Sequence, residues 1–597
     1  MKNYSYINIF EKYFTLAVSF FLVLLPSVEV VARIFGGTAI TASSVLVQHL
    51  TLWIGFAGAV IAARRNRLLS LTSTPLFSLE ESIDWKNYIA KTVSIFVVLC
   101  LAYGAWDLIK IEKAYPFNIH PLFPRWGAML IMPLGFLLIA IHMLQNSYDK
   151  WIPRFYVLIT LLLLYFLFSF DLFRESSLPI IFVVIFLFFS LYRGAPIFIG
   201  LGGLAVLFFW RDWTPLSAIS AEAYRIVVSP TLPTIPLFTL AGYILAESNA
   251  SERLVKLFRS LFGWIPGGTP VVLVLLCGFF TALTGGSGVT ILALGGLFLP
   301  LLIKEGYSKT FSLGLVTVAG SLGLLFPPSL PLILYALTAG ISVKSVFLAG
   351  LLPGLLRVII VSGWAVYQGR SQSINRHQFK LENIKSAFRD AKWEIVIPIF
   401  ILFGIFGGYT TLVETAAITV IYVVIIEVLI YRDLSWKQLI GISSECGTLI
   451  GGVLIILGVA MGLTSYLVDA QVPLHLLDWV KGNISSKFVF LIMLNVFLLA
   501  IGCMMDIFSA IIIAVPLIAP IGAYFGIDPI HLAIIFIANL ELGFLTPPVG
   551  MNLFLSAYRF DEDMPTIYRS TIPFFIAMLI SVIAVTYIPI LSTWASN

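Results

Sequence analysis

Apolar runs of roughly twenty residues, the length that crosses the hydrocarbon of a bilayer, recur from one end of the chain to the other. The pattern predicts four opening spans, Tyr13 to Ile34, Val45 to Ala63, Tyr88 to Ile109 and Ala128 to Leu144. Arg64, Arg65 and Arg67 follow the second span at once, and the positive-inside rule puts them and the N-terminus in the cytoplasm. Lys110 to Arg125, with Pro116, His120, Pro121 and Pro124, then reads as an external, irregular loop. A fifth span, Phe155 to Phe173, runs outward to the polar turn Arg174-Glu175-Ser176-Ser177, and Ile180 to Tyr192 returns. This odd span reads as the joint between two modules, with the boundary near residue 175. No small-residue cleavage site follows the first apolar run, so Tyr13 to Val31 reads as a retained span.

Beyond the joint the pattern is broken by glycine and proline. Ala195 to Trp210 is a Gly-rich span, and Pro233 to Gly242 is a broken start to another. Val271 to Leu283 runs into Thr284-Gly285-Gly286-Ser287-Gly288-Val289-Thr290, where three glycines in four residues discourage a continuous helix. With about a dozen mostly apolar residues on each side, this motif reads as the tip of a re-entrant hairpin. Phe326-Pro327-Pro328-Ser329 and Phe544-Leu545-Thr546-Pro547-Pro548-Val549-Gly550-Met551-Asn552 each end a helix inside an apolar region, because proline removes a donor and clashes with the preceding turn. Non-helical backbone survives at membrane depth only where protein buries it or where it lines a polar cavity.

The breaks are duplicated. Adding 220 to a residue number carries Pro300 onto Pro520, Gly306 onto Gly526, Gly323 onto Gly543, and Pro327-Pro328 onto Pro547-Pro548 without a gap. Under the same offset the Gly285 to Thr290 tip falls on Met505 to Ala510, which puts Asp506 in the second tip. The longest polar stretch, Gln368 to Lys392, carries Arg370, Arg376, Lys380, Lys385, Arg389 and Lys392 and divides the halves on the cytoplasmic side. After it, Trp393 to Ile430 forms a hairpin turning at Gly407-Gly408-Tyr409, followed by Leu449 to Leu467, Phe488 to Leu499 and the Gly502 to Pro520 region. Paired broken helices at equivalent places in two halves point to the midplane site of a secondary transporter. Unwound carbonyls there can replace the hydration shell of a small cation, and helix N-termini can face an anionic substrate.

Composition agrees with the pattern. Of 597 residues 59% are hydrophobic and 11% charged, against roughly 25% charged in a soluble domain, so this is an all-α polytopic membrane protein. The net charge of +6 comes from short loops that set orientation, and it implies no nucleic-acid partner. Cys100, Cys277, Cys446 and Cys503 are scattered without paired spacing and suggest neither zinc nor disulfides. Glu29 with Arg33, and Asp107 with Lys110, are near span ends and read as structural or interfacial pairs. No nucleophile–base pair, His-rich metal cluster or phosphate loop argues for an enzyme or an ATP-driven pump, and no organic or metal cofactor is expected.

Several stretches resemble a known family. Arg193-Gly194-Ala195-Pro196-Ile197, Ile235-Pro236-Leu237-Phe238, Gly323 to Ser329, Gly526-Ile527-Asp528-Pro529 and Gly543 to Phe554 are similar to the large membrane subunit of tripartite ATP-independent periplasmic (TRAP) transporters. Val31-Ala32-Arg33-Ile34-Phe35, Leu52 to Gly58 and the Arg64 to Arg67 cluster resemble the small four-helix subunit, with Gln48-His49 standing where that family usually has acids. The resemblance implies a fused arrangement: 1–150 a small-subunit-like four-helix module, 151–177 a joining helix, and 178–597 a transport module whose inverted repeat halves are about 178–367 and 393–597. It further implies a bacterial inner-membrane protein with an elevator mechanism, Na+ as the coupling ion, and uptake of a small organic acid delivered by a periplasmic substrate-binding protein.

Carried over to this chain, the family's sites give two sodium positions. One uses Gly285, Ser287 and the Gly323 to Pro327 break, and the other Asp506 with Gly543, Thr546 and Pro547. Ser287, Thr290, Ser329 and Asn552 are the expected substrate lining. Glu414 and Glu541 also match family positions, with structural hydrogen bonding as the competing role. Two other readings stand beside this one: a stand-alone sodium- or proton-coupled carboxylate carrier that needs no binding protein, and a channel.

Overall fold

The structure is a computed structural model that describes residues 4–35, 43–70, 76–77, 79–80, 84–120, 123–168, 177–265, 267–371, 381–547 and 550–594. The expected Arg174 to Ser176 turn, the boundary near residue 175, the end of the fifth span at Phe173, Arg376, Lys380, and Pro548 with Val549 lie outside these residues. The described chain is almost entirely helical, and ten of its helices are long and apolar enough to cross a membrane. It divides into two compact units, one made of 1–236 with 440–473 and the other of 237–439 with 474–597.

The first unit contains α1 (Tyr4–Ile34), α2 (Ser43–Arg64), α3 (Trp85–Ala114), α4 (Ile131–Ser147), α5 (Trp151–Phe168), α6 (Ser177–Tyr192), α7 (Ile197–Arg211) and α8 (Ser217–Val227). The first four pack as a bundle, α1 on α2, α2 on α4 and α4 on α3, while α6, α7 and α8 also lean on α3. Where an irregular loop was expected after α3, Asn118–His120 and Phe123–Pro124 pair as a short antiparallel ribbon instead. Arg125 closes its base: the guanidinium donates to both carboxylate oxygens of Glu112, at 2.8 and 2.5 Å, and the backbone N–H to Phe117 O at 2.8 Å. That bidentate geometry gives the loop an order its prolines do not advertise. Lys110 pairs with Asp107 as expected, at 3.4 Å.

The 440–473 segment belongs to the long helix Trp436–Asp469, which runs buried through the first unit. Small residues let it approach α2 to backbone contact. A Cβ on Gly58 would lie 1.8 Å from Gly447 O, and one on Gly451 would lie 2.1 Å from Ala59 N. Such small-residue crossings are how helices associate where lipid removes the hydrophobic drive between them. Polar contacts also join the N-terminal stretch to later parts of this unit: His49 Nε2 is 2.8 Å from Tyr224 Oη on α8, and Arg65 and Arg67 donate to Glu445 on the long helix at 2.5 and 2.8 Å.

The second unit carries the duplication. After the amphipathic α9 (Ala250–Phe262) come α10 (Gly268–Thr284), α11 (Ser287–Lys304), α12 (Lys309–Ala319), α13 (Leu330–Ala339) and α14 (Val343–Ser371). Their counterparts are α15 (Lys487–Met504), α16 (Ile507–Tyr524), α17 (Pro529–Gly543), α18 (Met551–Phe560) and α19 (Met564–Tyr587). Both ends of α16 are those of α11 shifted by 220, as are the first residues of α12 and α17. The caps correspond too. Ser308 Oγ accepts from Phe311 N at 3.3 Å, and Asp528 Oδ1 accepts from Ile530 N and His531 N at 2.8 and 3.0 Å, each just after a glycine of positive φ, Gly306 or Gly526.

Contacts between the halves are reciprocal: α11 packs on α18 and α16 on α13, α12 on α19 and α17 on α14. A two-fold relation between repeats produces this exchange of partners. The sequence stretch Pro233 to Gly242 is not broken, because the helix begins at Thr234 and takes Pro236 into its first turn, where a missing N–H costs nothing. The hairpin of helices Lys392–Gly407 and Leu412–Val424 turns at Gly408, φ +72°, and starts again on a capping box in which Thr411 and Glu414 bind each other's backbone N–H.

Candidate functional site

The tips and breaks meet inside the second unit. In the first hairpin, Gly285 takes up a left-handed φ of +68° at the end of α10, and Gly286, extended, starts α11. A side chain at Gly285 would strike Leu330, 2.4 Å from its Cβ, so the tip rests on the first residue of α13. The first break wraps the turn before this tip: a Cβ on Gly323 would lie 2.2 Å from Gly278 O and 2.6 Å from Ala282 N. Between α12 and α13 the chain makes three-residue turns, with Leu324 N to Ser321 O at 3.1 Å, Phe326 N to Gly323 O at 3.0 Å and Ser329 N to Phe326 O at 3.0 Å. The Pro327–Pro328 bond is cis.

The second pair repeats the plan. Gly543 ends α17 with its Cα against Gly502, where a Cβ would come within 2.6 Å of Gly502 Cα. Gly550, just before α18, donates to Cys503 O at 3.0 Å and so ties the far side of the break to the end of α15. Thr546 sits inside the break, its N–H donating to Gly543 O at 2.9 Å and its hydroxyl to Leu542 O at 3.0 Å, with Pro547 exposed beside it. At the second tip Met505 and Asp506 are extended, and Asp506 caps α16. Its Oδ2 accepts from Phe508 N and Ser509 N at 3.0 and 3.1 Å, and its Oδ1 accepts from Ser509 Oγ at 2.6 Å. The carboxylate therefore stands against the positive end of the helix, and with about four lone-pair directions it keeps acceptor capacity beyond these bonds.

The polar residues expected to line a substrate site divide into groups. Ser287, the first residue of α11, donates to Asn552 Oδ1 at 2.7 Å, and Asn552 Nδ2 donates to Thr317 O at 3.3 Å, so the first tip is joined to the helix after the second break. Thr317 Oγ1 continues the seam, 2.9 Å from Ser556 Oγ. Thr290 lies one turn along α11 and faces inward, its hydroxyl 2.8 Å from Thr281 Oγ1, which is also 2.8 Å from Gly320 O. Ser329 is fully buried beside the first break, and its Oγ finds no hydrogen-bond partner among the described residues. All four side chains are buried. Among the described residues no group of three or more His, Cys, Asp or Glu is arranged to hold a metal ion.

Behind the second break lies a polar contact that the sequence alone did not disclose. Arg357 on α14 and Glu541 on α17 form a fully buried ion pair. Arg357 also donates to Ala538 O at 2.8 Å and to Ser581 Oγ at 3.0 Å. The available signal was an arginine in the middle of a long apolar run, which is costly unless it is paired. A second cluster is centred on Arg253 of α9, which donates to Glu427 at 2.7 and 2.9 Å, to Asp433 at 2.5 Å and to Glu394, and stacks 3.8 Å over Tyr431.

Residues 182–591, most of the chain, match the family described as the tripartite ATP-independent periplasmic transporter, DctM component. The chain belongs to the TRAP transporters. Residues 22–153 match the DctQ component of the same systems, so both TRAP membrane components are present in one chain. The isethionate TRAP transporter permease protein DctMQ of Oleidesulfovibrio alaskensis is 28% identical over 97% of this chain and 93% of its own. The C4-dicarboxylate TRAP transporter large permease protein DctM of Vibrio cholerae is 31% identical over 67% of this chain and 94% of its own. Among solved structures, the Alcanivorax borkumensis YdaH transporter matches with a TM-score of 0.46 and 14% identity, covering 64% of this chain and 87% of that one. As a TRAP permease with ten apolar helices, the protein is a multi-pass component of the bacterial inner membrane, and its family is one of transporters.

Proposed function

We propose that this TRAP permease imports a small organic acid, handed over by a periplasmic substrate-binding protein and driven by sodium. The observation that carries the reading is the duplicated hairpin-and-break pair, each tip packed into the break of its own repeat with reciprocal contacts between repeats. Irregular backbone at membrane depth is what a cation and an anionic substrate use in such proteins. The first sodium position would draw on Gly285, Ser287 and the Gly323 to Pro327 carbonyls, and the second on Asp506, Gly543, Thr546 and Pro547. Oxygen ligands of this kind suit a hard cation. Ser287, Asn552, Thr290 and Ser329 would contact the substrate, with the Ser287–Asn552 bond opening to exchange its partners for the ligand's oxygens.

The named relatives carry a sulfonate in one case and C4-dicarboxylates in the other, which supports a small organic anion as the cargo here. In the elevator step, a core bearing both hairpins would carry substrate and sodium across the bilayer together. The test is uptake into proteoliposomes of a radiolabelled organic acid presented on its binding protein, with and without an inward sodium gradient. Accumulation that needs both supports the reading. Equal uptake under a proton gradient without sodium, or without any binding protein, would replace it with the stand-alone carrier.

A further inference from the structure

A basic cavity in the first unit has no part in the transport site. It measures about 540 Å³, within the roughly 300–1,000 Å³ of small-ligand pockets, and is lined by Lys12, Arg64, Arg65, His142, Asn146 and Arg154 together with Asp149. Its arginines are held in place before any ligand arrives. Arg64 pairs with Glu11, Arg65 donates to Glu445 at 2.5 Å and to Ser444 at 3.2 Å, and Arg154 donates to Tyr148 O and Gln145 O at 2.8 Å each. With Glu11, Glu445 and Asp149 counted against Lys12, Arg64, Arg65 and Arg154, a positive balance remains even with His142 neutral.

His142 supplies the independent sign of a ligand. Its side chain is 8% exposed, it lines the cavity, and its Nε2 has no hydrogen-bond partner among the described residues, with Glu11 Oε1 no nearer than 3.4 Å. A buried ring nitrogen left without a hydrogen bond is destabilising, and a ligand oxygen would remove that deficit. The arginines that follow α2 face the cytoplasm by the positive-inside rule, at the depth where anionic headgroups lie and where basic pockets between membrane helices take up phosphate.

We propose that this cavity binds a phosphate group, with the guanidinium groups of Arg64, Arg65 and Arg154 around it and His142 Nε2–H as a hydrogen-bond donor. The phosphodiester of an anionic phospholipid and free inorganic phosphate share this chemistry, and the experiment separates them. Purified full-length protein is titrated in detergent, at constant ionic strength, with phosphatidylglycerol, with phosphatidylcholine or with inorganic phosphate, and the unfolding midpoint is followed. A saturable rise with phosphatidylglycerol alone identifies a lipid site, and a saturable rise with inorganic phosphate identifies a soluble anion. In the same titrations Lys12→Gln and His142→Phe, each removing one group that faces the phosphate, should each weaken half-saturation about fivefold. Lys12→Gln alters only an exposed side chain, so it keeps the test open if His142→Phe folds poorly. No rise with either phosphate source, an equal rise with phosphatidylcholine, or unshifted half-saturation in both variants overturns the proposal.

Discussion

At the scale of single residues, charge inside the apolar core decides what is functional and what is structural. Asp506 uses its oxygens on its own helix N-terminus, which alone would make it a cap worth about 1 kcal/mol. Its place in the second tip, equivalent to Gly286 in the first, is why we assign it the second duty of binding a cation. Asp506→Asn keeps one acceptor oxygen for the Phe508 and Ser509 amides but removes the charge, so we expect the protein to fold and its uptake to lose sodium dependence; an unchanged sodium response would remove Asp506 from the site. The Arg357–Glu541 pair has the opposite character. Breaking a buried pair from one side leaves a stranded charge, at a cost of about 3–5 kcal/mol, whereas replacing both partners with apolar groups is often neutral. Arg357→Met should therefore lower the unfolding temperature sharply, and Arg357→Met combined with Glu541→Leu should recover most of the loss. A double variant as unstable as the single one would show that the pair is more than mutual neutralisation.

At the scale of elements, the repeat shows how far apolar patterning reaches. Helix breakers are legible because proline and glycine act locally, so the offset of 220 placed both tips, both breaks and the start of α17 from α12 correctly. The short amphipathic helices α8 and α9 went unread because neither is long enough to register as a span. The Arg253 cluster was invisible for a different reason: its acids are 141, 174 and 180 residues away, and no local pattern encodes such a meeting. It joins α9 to the Lys392–Gly407 helix and to the turn after Ile430. Burial acts to raise the Asp433 carboxyl, but the hydrogen bond and charge of Arg253 outweigh it, and the group rests below its ordinary 3.8. A depressed carboxyl contributes stability above its unfolded value that is lost as pH falls through its folded value. Arg253→Gln should thus destabilise the protein at neutral pH, and the gap from wild type should narrow as the pH drops below 3.8. Thermal unfolding across that range reads it, and a gap independent of pH would assign the loss to packing.

At the scale of the whole molecule, one chain matches both the DctM and the DctQ components, and one seam between them is built from backbone. Besides the packing of α6, α7 and α8 on α3, the TRAP components abut where α2, from the DctQ-like part, meets the long helix Trp436–Asp469, from the DctM-like part, at Gly58, Gly447 and Gly451. The fused modules were recognisable from sequence but this seam was not, because glycine is common along such apolar runs and nothing local distinguishes the ones that touch. The contact has no slack: at Gly451 an added Cβ would fall 2.1 Å from Ala59 N and 2.3 Å from Gly58 C, and neither neighbour can turn aside as a side chain would. Gly451→Leu must therefore push the two helices apart, whereas Gly441→Leu, on the same helix with open space around its Cα, should be tolerated. The covalent link through residues 151–177 keeps both parts together whatever happens at the seam, so the damage should appear as altered assembly rather than lost expression. A protease site placed in that link makes the distinction measurable. After cleavage in detergent, wild type and Gly441→Leu should run as one complex on size exclusion, and Gly451→Leu should separate into its two pieces. Co-elution of the cleaved Gly451→Leu fragments would mean that the packing of α3 on α6, α7 and α8, with the polar contacts of Arg65 with Glu445 and His49 with Tyr224, holds the parts together without the glycine crossing.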